Sequence, residues 1–108
     1  MPVFGEIFIK LIEADLHNDK KIERGMILLT NYRLAFFKKS SKKIDLPFGF
    51  IDNVNINKKS LEMSVFLKHG HSWKFRVDKL SSIEEINVFL NVYMKTPDIR
   101  SNFAFSYF

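Results

Sequence analysis

The fold class that this 108-residue sequence predicts is mainly β, with about seven antiparallel strands followed by one amphipathic helix near the C-terminus. Three observations predict it. Short apolar or alternating segments recur along the chain with turn residues between them. One later segment, 82–94, instead repeats its apolar residues at helical spacing. Twelve Phe, three Tyr and one Trp supply bulky core material, in a length that suits one domain and leaves no room for a second catalytic lobe.

The elements follow in order. Glu6 to Ile12 reads as the first strand, with Ile7, Ile9 and Leu11 on one side and Phe8, Lys10 and Ile12 on the other. Met26 to Leu29 are apolar without interruption, as in a strand buried on both faces or at a sheet corner. Thr30-Asn31 supplies a turn, because Asn tolerates positive φ and its side chain bonds nearby backbone. The chain then returns through Tyr32 to Phe37, a β-prone stretch, and the third strand spans Arg33 to Lys38. Ile44 to Leu46 is a short fourth strand ended by Pro47, which cannot donate to a ladder. Ile51 to Ile56 alternates as Ile51, Asn53, Asn55 against Asp52, Val54, Ile56. Leu61 to Leu67 and Trp73 to Val77 flank the turn Lys68-His69-Gly70-His71. For the helix, Ser82 and Glu85 have capping-box spacing, and Ile83, Ile86, Leu90, Tyr93 and Met94 share one face. Lys95 suits the negative end of the helix dipole, and Pro97 forbids continuation.

Composition narrows the chemistry. With no cysteine there is no disulfide, zinc-thiolate site or thiol nucleophile, and an intracellular compartment is allowed. No signal peptide is visible, since the opening Met1-Pro2-Val3-Phe4-Gly5-Glu6 lacks a basic start. Lys and Asp interrupt every apolar run well short of about 18 residues, so any membrane contact is expected to be peripheral. There is no G-x-S-x-G, no P-loop and no convincing partner for His17, so the chain is expected to be no enzyme by itself and to need no cofactor. His69 and His71 fall short of a metal's usual ligand set, which leaves pH-dependent charge as their interesting possibility. Arg33 is better read as a structural hydrogen-bonding residue than as a phosphate ligand, Asp45 as a turn residue, and Trp73 as core.

Charge is unevenly placed. Lys38-Lys39-Ser40-Ser41-Lys42-Lys43 carries four positive charges and no negative one, against a net +5 for the chain. Such a loop serves either as solubility and edge protection or as a lipid contact. An anionic leaflet attracts each nearby basic residue by about 1 kcal/mol, fading within roughly 8 Å at physiological salt. Nucleic-acid binding is disfavoured, because the aromatics lie on apolar strand patterns and are not interleaved with basic residues.

Four motifs occur together in a fixed order: Phe4-Gly5-Glu6, then Arg24-Gly25 through Thr30-Asn31-Tyr32-Arg33-Leu34 to Phe36-Phe37, then Asp45-Leu46-Pro47-Phe48-Gly49-Phe50-Ile51, then Phe103-Ala104-Phe105-Ser106-Tyr107. Spanning essentially the whole chain, they resemble the PH-GRAM domain that precedes the phosphatase in myotubularins. That resemblance implies a pleckstrin-homology-like bent sandwich or partly open barrel, with the helix closing one end. It implies a domain over 1–97, and a tail over 98–108 leading towards a following phosphatase-like domain whose cysteine nucleophile this chain lacks. Folds of this kind commonly bind inositol phosphates with three loops, here 17–24 with Lys20, Lys21 and Arg24, 38–43 with Lys38, Lys39, Lys42 and Lys43, and 68–71 with Lys68. The usual signature, lysine on the first strand and a basic-x-arginine pair on the second, is not matched, since Lys10 is followed by an uncharged Met26 to Leu29. Glu13, Asp15, Asp19 and Glu23 also dilute the first loop.

By resemblance, the expected partner is a phosphoinositide or anionic membrane surface, with phosphatidylinositol 3-phosphate and its 5-phosphorylated relatives as the headgroups, on the cytoplasmic side of endosomal or related membranes. The alternative is a protein-interaction or intramolecular scaffold domain without specific lipid binding. Phe103, Phe105, Tyr107 and Phe108 crowd the tail, which folds back, pairs with another copy in an oligomer, or continues into the phosphatase-like neighbour.

Overall fold

The computed structural model describes residues 5–39 and 41–94. Seven strands, β1 (Phe8–Asn18), β2 (Lys21–Thr30), β3 (Arg33–Lys38), β4 (Ser41–Pro47), β5 (Ile51–Asn57), β6 (Glu62–Leu67) and β7 (Ser72–Val77), precede one helix, α1 (Leu80–Tyr93). They form a single antiparallel sheet in the order β4-β3-β2-β1-β7-β6-β5. β1 is therefore shared by two halves, and the sheet curls into a half-barrel sandwich around the core. The mainly β class with one helix is thus the observed one. Because every neighbouring pair is antiparallel, the β1–β2, β3–β4 and β6–β7 turns leave one end of the sheet, called here the hairpin end. The β2–β3 and β5–β6 turns leave the other.

The core is lined by alternate residues of each strand: Ile12, Ala14 and Leu16 from β1, Ile27 and Leu29 from β2, Leu34 and Phe36 from β3, Met63, Val65 and Leu67 from β6, Phe75 and Val77 from β7. Ile83, Ile86, Phe89 and Leu90 of α1 close it. The two smallest inward residues, Ala14 and Gly25, face each other across β1 and β2. A Cβ at Gly25 would lie 2.2 Å from the Phe37 carbonyl oxygen and 2.7 Å from the Phe36 ring. The missing side chain makes room for Phe36, whose ring centroid sits 5.6 Å from that of Phe75.

Several boundaries differ from the sequence expectation. β1 runs to Asn18, well past Ile12, because Glu13 to His17 still alternates, with Ala14 and Leu16 inward. A register shift between Phe8 and Lys10 brings Ile9 against the core together with Ile12, and leaves Ile7, Phe8 and Leu11 exposed. β2 begins at Lys21, and its central run is buried on one face only. Ile27 and Leu29 point inward, while Met26 and Leu28 are half-buried on the outer face. β4 starts at Ser41, and a shift between Ile51 and Asn53 puts Ile51 in phase with Val54 and Ile56.

The expected capping box does not form. α1 starts earlier, with Lys79 as N-cap and no side-chain cap bond, and the Lys79 carbonyl accepts from the amides of Ser82 (3.1 Å) and Ile83 (3.4 Å). Phe89, absent from the expected face, packs edge-on to Phe48 with centroids 6.3 Å apart. Tyr93 and Met94 are partly buried against the core, as is Trp73. Lys95, Pro97 and the tail 98–108 lie outside the described residues. Among those described, no helix is long and apolar enough to cross a membrane.

Candidate anion-binding surface at the hairpin end

Three of the four sequence motifs meet in one polar knot at the β2–β3 turn. Thr30 Oγ1 accepts from the amides of Tyr32 and Arg33, both at 3.1 Å, and donates to Glu6 Oε2 at 2.6 Å. Arg33 donates to the two Glu6 oxygens at 2.8 and 3.2 Å and to Asp45 Oδ2 at 2.9 Å. Asn31 Oδ1 accepts from the Ile7 amide at 2.7 Å, and Asn31 Nδ2 donates to the Gly5 carbonyl at 3.2 Å. The Glu6 side chain is 5% exposed and that of Arg33 16%. Burial opposes the Arg33 charge, but the Glu6 hydrogen bonds and the Glu6 and Asp45 carboxylates outweigh it and raise its pKa. Arg33 is thus committed to structure. Asp45, expected in a turn, lies on β4 and bonds Arg33 and Lys42, because alternation sets it on the same outer face.

The eight basic residues singled out in the sequence divide into two groups. Lys20 lies in the β1–β2 turn beside Asp19 at φ 53°, Lys21 opens β2, Lys39 turns from β3 into β4 at φ 57°, and Lys43 is exposed on β4. Lys68 follows β6, its amide donating to the Phe50 carbonyl at 3.0 Å. All five leave the hairpin end, and none has an ion-pair partner among the described residues. The other three are paired. Lys38 reaches Glu23 at 3.3 Å and Lys42 reaches Asp45 at 3.2 Å. Arg24 is on β2, not in a loop, and is held by Glu13 at 2.8 Å, Asp15 at 3.4 Å and, most closely, both oxygens of Asp78. These contacts raise the Arg24 pKa, the Asp78 hydrogen bond first, and lower that of Asp78.

Glu23 decides what kind of site this end can be. It is the cross-strand partner of Leu16, so it faces inward, and its side chain is 14% exposed. An acid paired to Lys38 therefore sits where a deep phosphate pocket would need a base. What remains at this end, among the described residues, is a set of exposed lysines without ion-pair partners and no fixed fork of arginines. The sequence reading also passed over Phe50 and Phe66, which are 61% and 38% exposed. For Phe66 the signal was there, since it is out of phase with Met63, Val65 and Leu67. His69 and His71 stack edge-on in the β6–β7 turn with centroids 5.2 Å apart, and among the described residues no group of three metal-ligating side chains converges.

With this geometry in place, comparison with known proteins is informative about the fold. No protein-family model and no curated protein sequence matches the chain. Solved structures do. The Slm1-PH domain in complex with inositol-4-phosphate is 20% identical with a TM-score of 0.68, over 81% of this chain and 95% of that one. A second structure of the same domain, described as demonstrating ligand binding in the non-canonical site, is 19% identical with a TM-score of 0.66, over 80% of this chain and 96% of that one. The N-terminal PH domain of human ARAP2 is 13% identical with a TM-score of 0.66, over 92% and 85% of the two chains. The chain therefore has the pleckstrin-homology fold.

Proposed function

We propose that this chain is a non-catalytic module that binds phosphoinositide-bearing, anionic membrane through its hairpin end. One observation carries the reading: five lysines without ion-pair partners among the described residues leave the same end of a pleckstrin-homology fold. The Slm1-PH domain, which shares that fold, is solved with inositol-4-phosphate bound, which supports an inositol phosphate headgroup as the ligand class. The inward Glu23 argues for a surface site in preference to a deep one.

The motif order further supports a myotubularin-like PH-GRAM domain. On this reading residues 1–97 form the module, and 98–108 lead into a phosphatase-like neighbour or an oligomer contact. The headgroups to test are then phosphatidylinositol 3-phosphate and its 5-phosphorylated relatives, on the cytoplasmic side of endosomal membranes. A second reading, a scaffold domain that binds no lipid specifically, is favoured by one observation, the commitment of Arg24, Lys38 and Lys42 to internal acids.

The double charge reversal Lys39→Glu and Lys43→Glu separates the two. Removing two attractions of about 1 kcal/mol each weakens binding to anionic vesicles by at least roughly 30-fold, with the melting temperature unchanged. Unaltered vesicle binding would remove these two lysines from the mechanism, and absence of binding by the parent protein would assign the chain to the scaffold reading.

A further inference from the structure

The hairpin end carries aromatic as well as basic side chains, and their placement is not random. Phe50 ends the short 3-10 turn that joins β4 to β5, and its carbonyl is tied to the Lys68 amide at 3.0 Å. Its ring is nevertheless 61% exposed. Phe66 lies on β6 between inward-facing Val65 and Leu67, so alternation turns it to the outer face, where it is 38% exposed. Lys68 is two residues beyond Phe66 and thus on its side of the chain. The cross-strand partner of Phe66 is Ser72, and Lys74 follows two residues later on the same outer face. Lys74 is held only loosely, 3.9 Å from Glu62. Two exposed rings are therefore bracketed by Lys68 and Lys74, with His69 and His71 in the adjoining turn. Besides Glu62, the acid Asp52 lies in the irregularity of β5 and accepts from Asn53 Nδ2 at 3.2 Å.

We propose that Phe50 and Phe66 insert into the headgroup–acyl boundary of an anionic bilayer, with Lys68 and Lys74 reaching up into the phosphate layer. This inference rests on the membrane reading above and assigns it a second, apolar component. The physical fit is specific to a lipid surface. An aromatic ring is stabilised where an apolar interior meets a polar boundary, and a lysine stem lies along apolar surface while its ammonium stays among phosphates. The lysines of the β3–β4 turn act through charge alone and are screened by salt. The two rings act through area removed from water and are not. Binding then has a salt-sensitive part from Lys39 and Lys43 and a salt-resistant part from Phe50 and Phe66.

The test uses the whole chain with phosphatidylcholine vesicles containing phosphatidylserine and a phosphoinositide, at about 0.1 and roughly 0.5 M salt. Replacing both rings, Phe50→Ser with Phe66→Ser, weakens vesicle partition roughly tenfold at either salt and leaves binding of soluble inositol phosphate unchanged. Independently, the indole of Phe50→Trp is quenched by lipids brominated on their acyl chains, beyond the Trp73 signal of the parent protein. If the parent binds vesicles while partition of the double variant is unchanged and the new indole is not quenched, insertion is wrong and the electrostatic reading stands. Lost partition without quenching also overturns insertion, since the rings then act through local structure. If the parent does not bind vesicles, the membrane reading itself falls and takes this inference with it. Should the serine variant fail to fold, the Phe50→Trp quenching decides alone.

Discussion

Arg33→Met is predicted to be the most damaging single change at the surface of this domain, and its cost can be worked from the geometry. The guanidinium makes three hydrogen bonds of 2.8 to 3.2 Å to Glu6 and Asp45, and the Glu6 side chain is 5% exposed. Methionine fills much of the space but removes these three charge-assisted bonds from Glu6 and Asp45. Removing one member of a buried pair costs about 3–5 kcal/mol. Arg33 itself is 16% exposed, so the lower end, about 3 kcal/mol, is expected. For a domain of this size that lowers the melting temperature by roughly 12 °C or more.

Urea unfolding followed by Trp73 fluorescence measures the loss directly. A second signature fixes the cause. The companion Arg33→Met with Glu6→Gln should regain much of the loss, because the neutral amide no longer calls for the guanidinium's charge. A loss under about 1 kcal/mol with no recovery in the double variant is the behaviour of an exposed ion pair and would refute the reasoning.

Two further changes test other parts of the account. Gly25→Ala places a Cβ 2.2 Å from the Phe37 carbonyl oxygen and should cost about 2–3 kcal/mol in urea unfolding, with near-neutral behaviour showing that β2 and β3 can separate there. Glu23→Gln removes the inward acid at the hairpin end and frees Lys38, 38% exposed, for an external anion. Vesicle binding should then strengthen by about 1 kcal/mol, or roughly fivefold, and an unchanged affinity would mean that this mouth does not face the bilayer.

How far the sequence revealed all this depended on whether the signal was local. The β2–β3 hairpin and the strand containing Trp73 were readable, because apolar and turn residues there follow each other directly. The second half of β1 was not, since Glu13, Asp15 and His17 look like loop residues until Ala14 and Leu16 are seen to share the inner face. Likewise Ser82 and Glu85 matched a cap in spacing, but the Lys79 carbonyl had already accepted the first-turn amides. The candidate site was legible as a set of basic residues and not as a set of free ones. Arg24 is neutralised by Asp78, 54 residues away, and Lys38 by Glu23 across a strand pair. Only the fold brings those acids near. The role of Arg33 could be guessed from its motif, yet its partners Glu6 and Asp45 became evident only when the curled sheet joined them.

Sedimentation of the unaltered chain with vesicles carrying single phosphoinositides, at about 0.1 and roughly 0.5 M salt, tests the central claim most directly. A membrane module with a basic rim and two inserting rings should bind anionic vesicles, prefer those bearing a phosphoinositide, and keep a reduced but measurable fraction bound at the higher salt. Absence of binding to every vesicle at the lower salt would contradict the claim and leave a scaffold whose lysines serve only solubility.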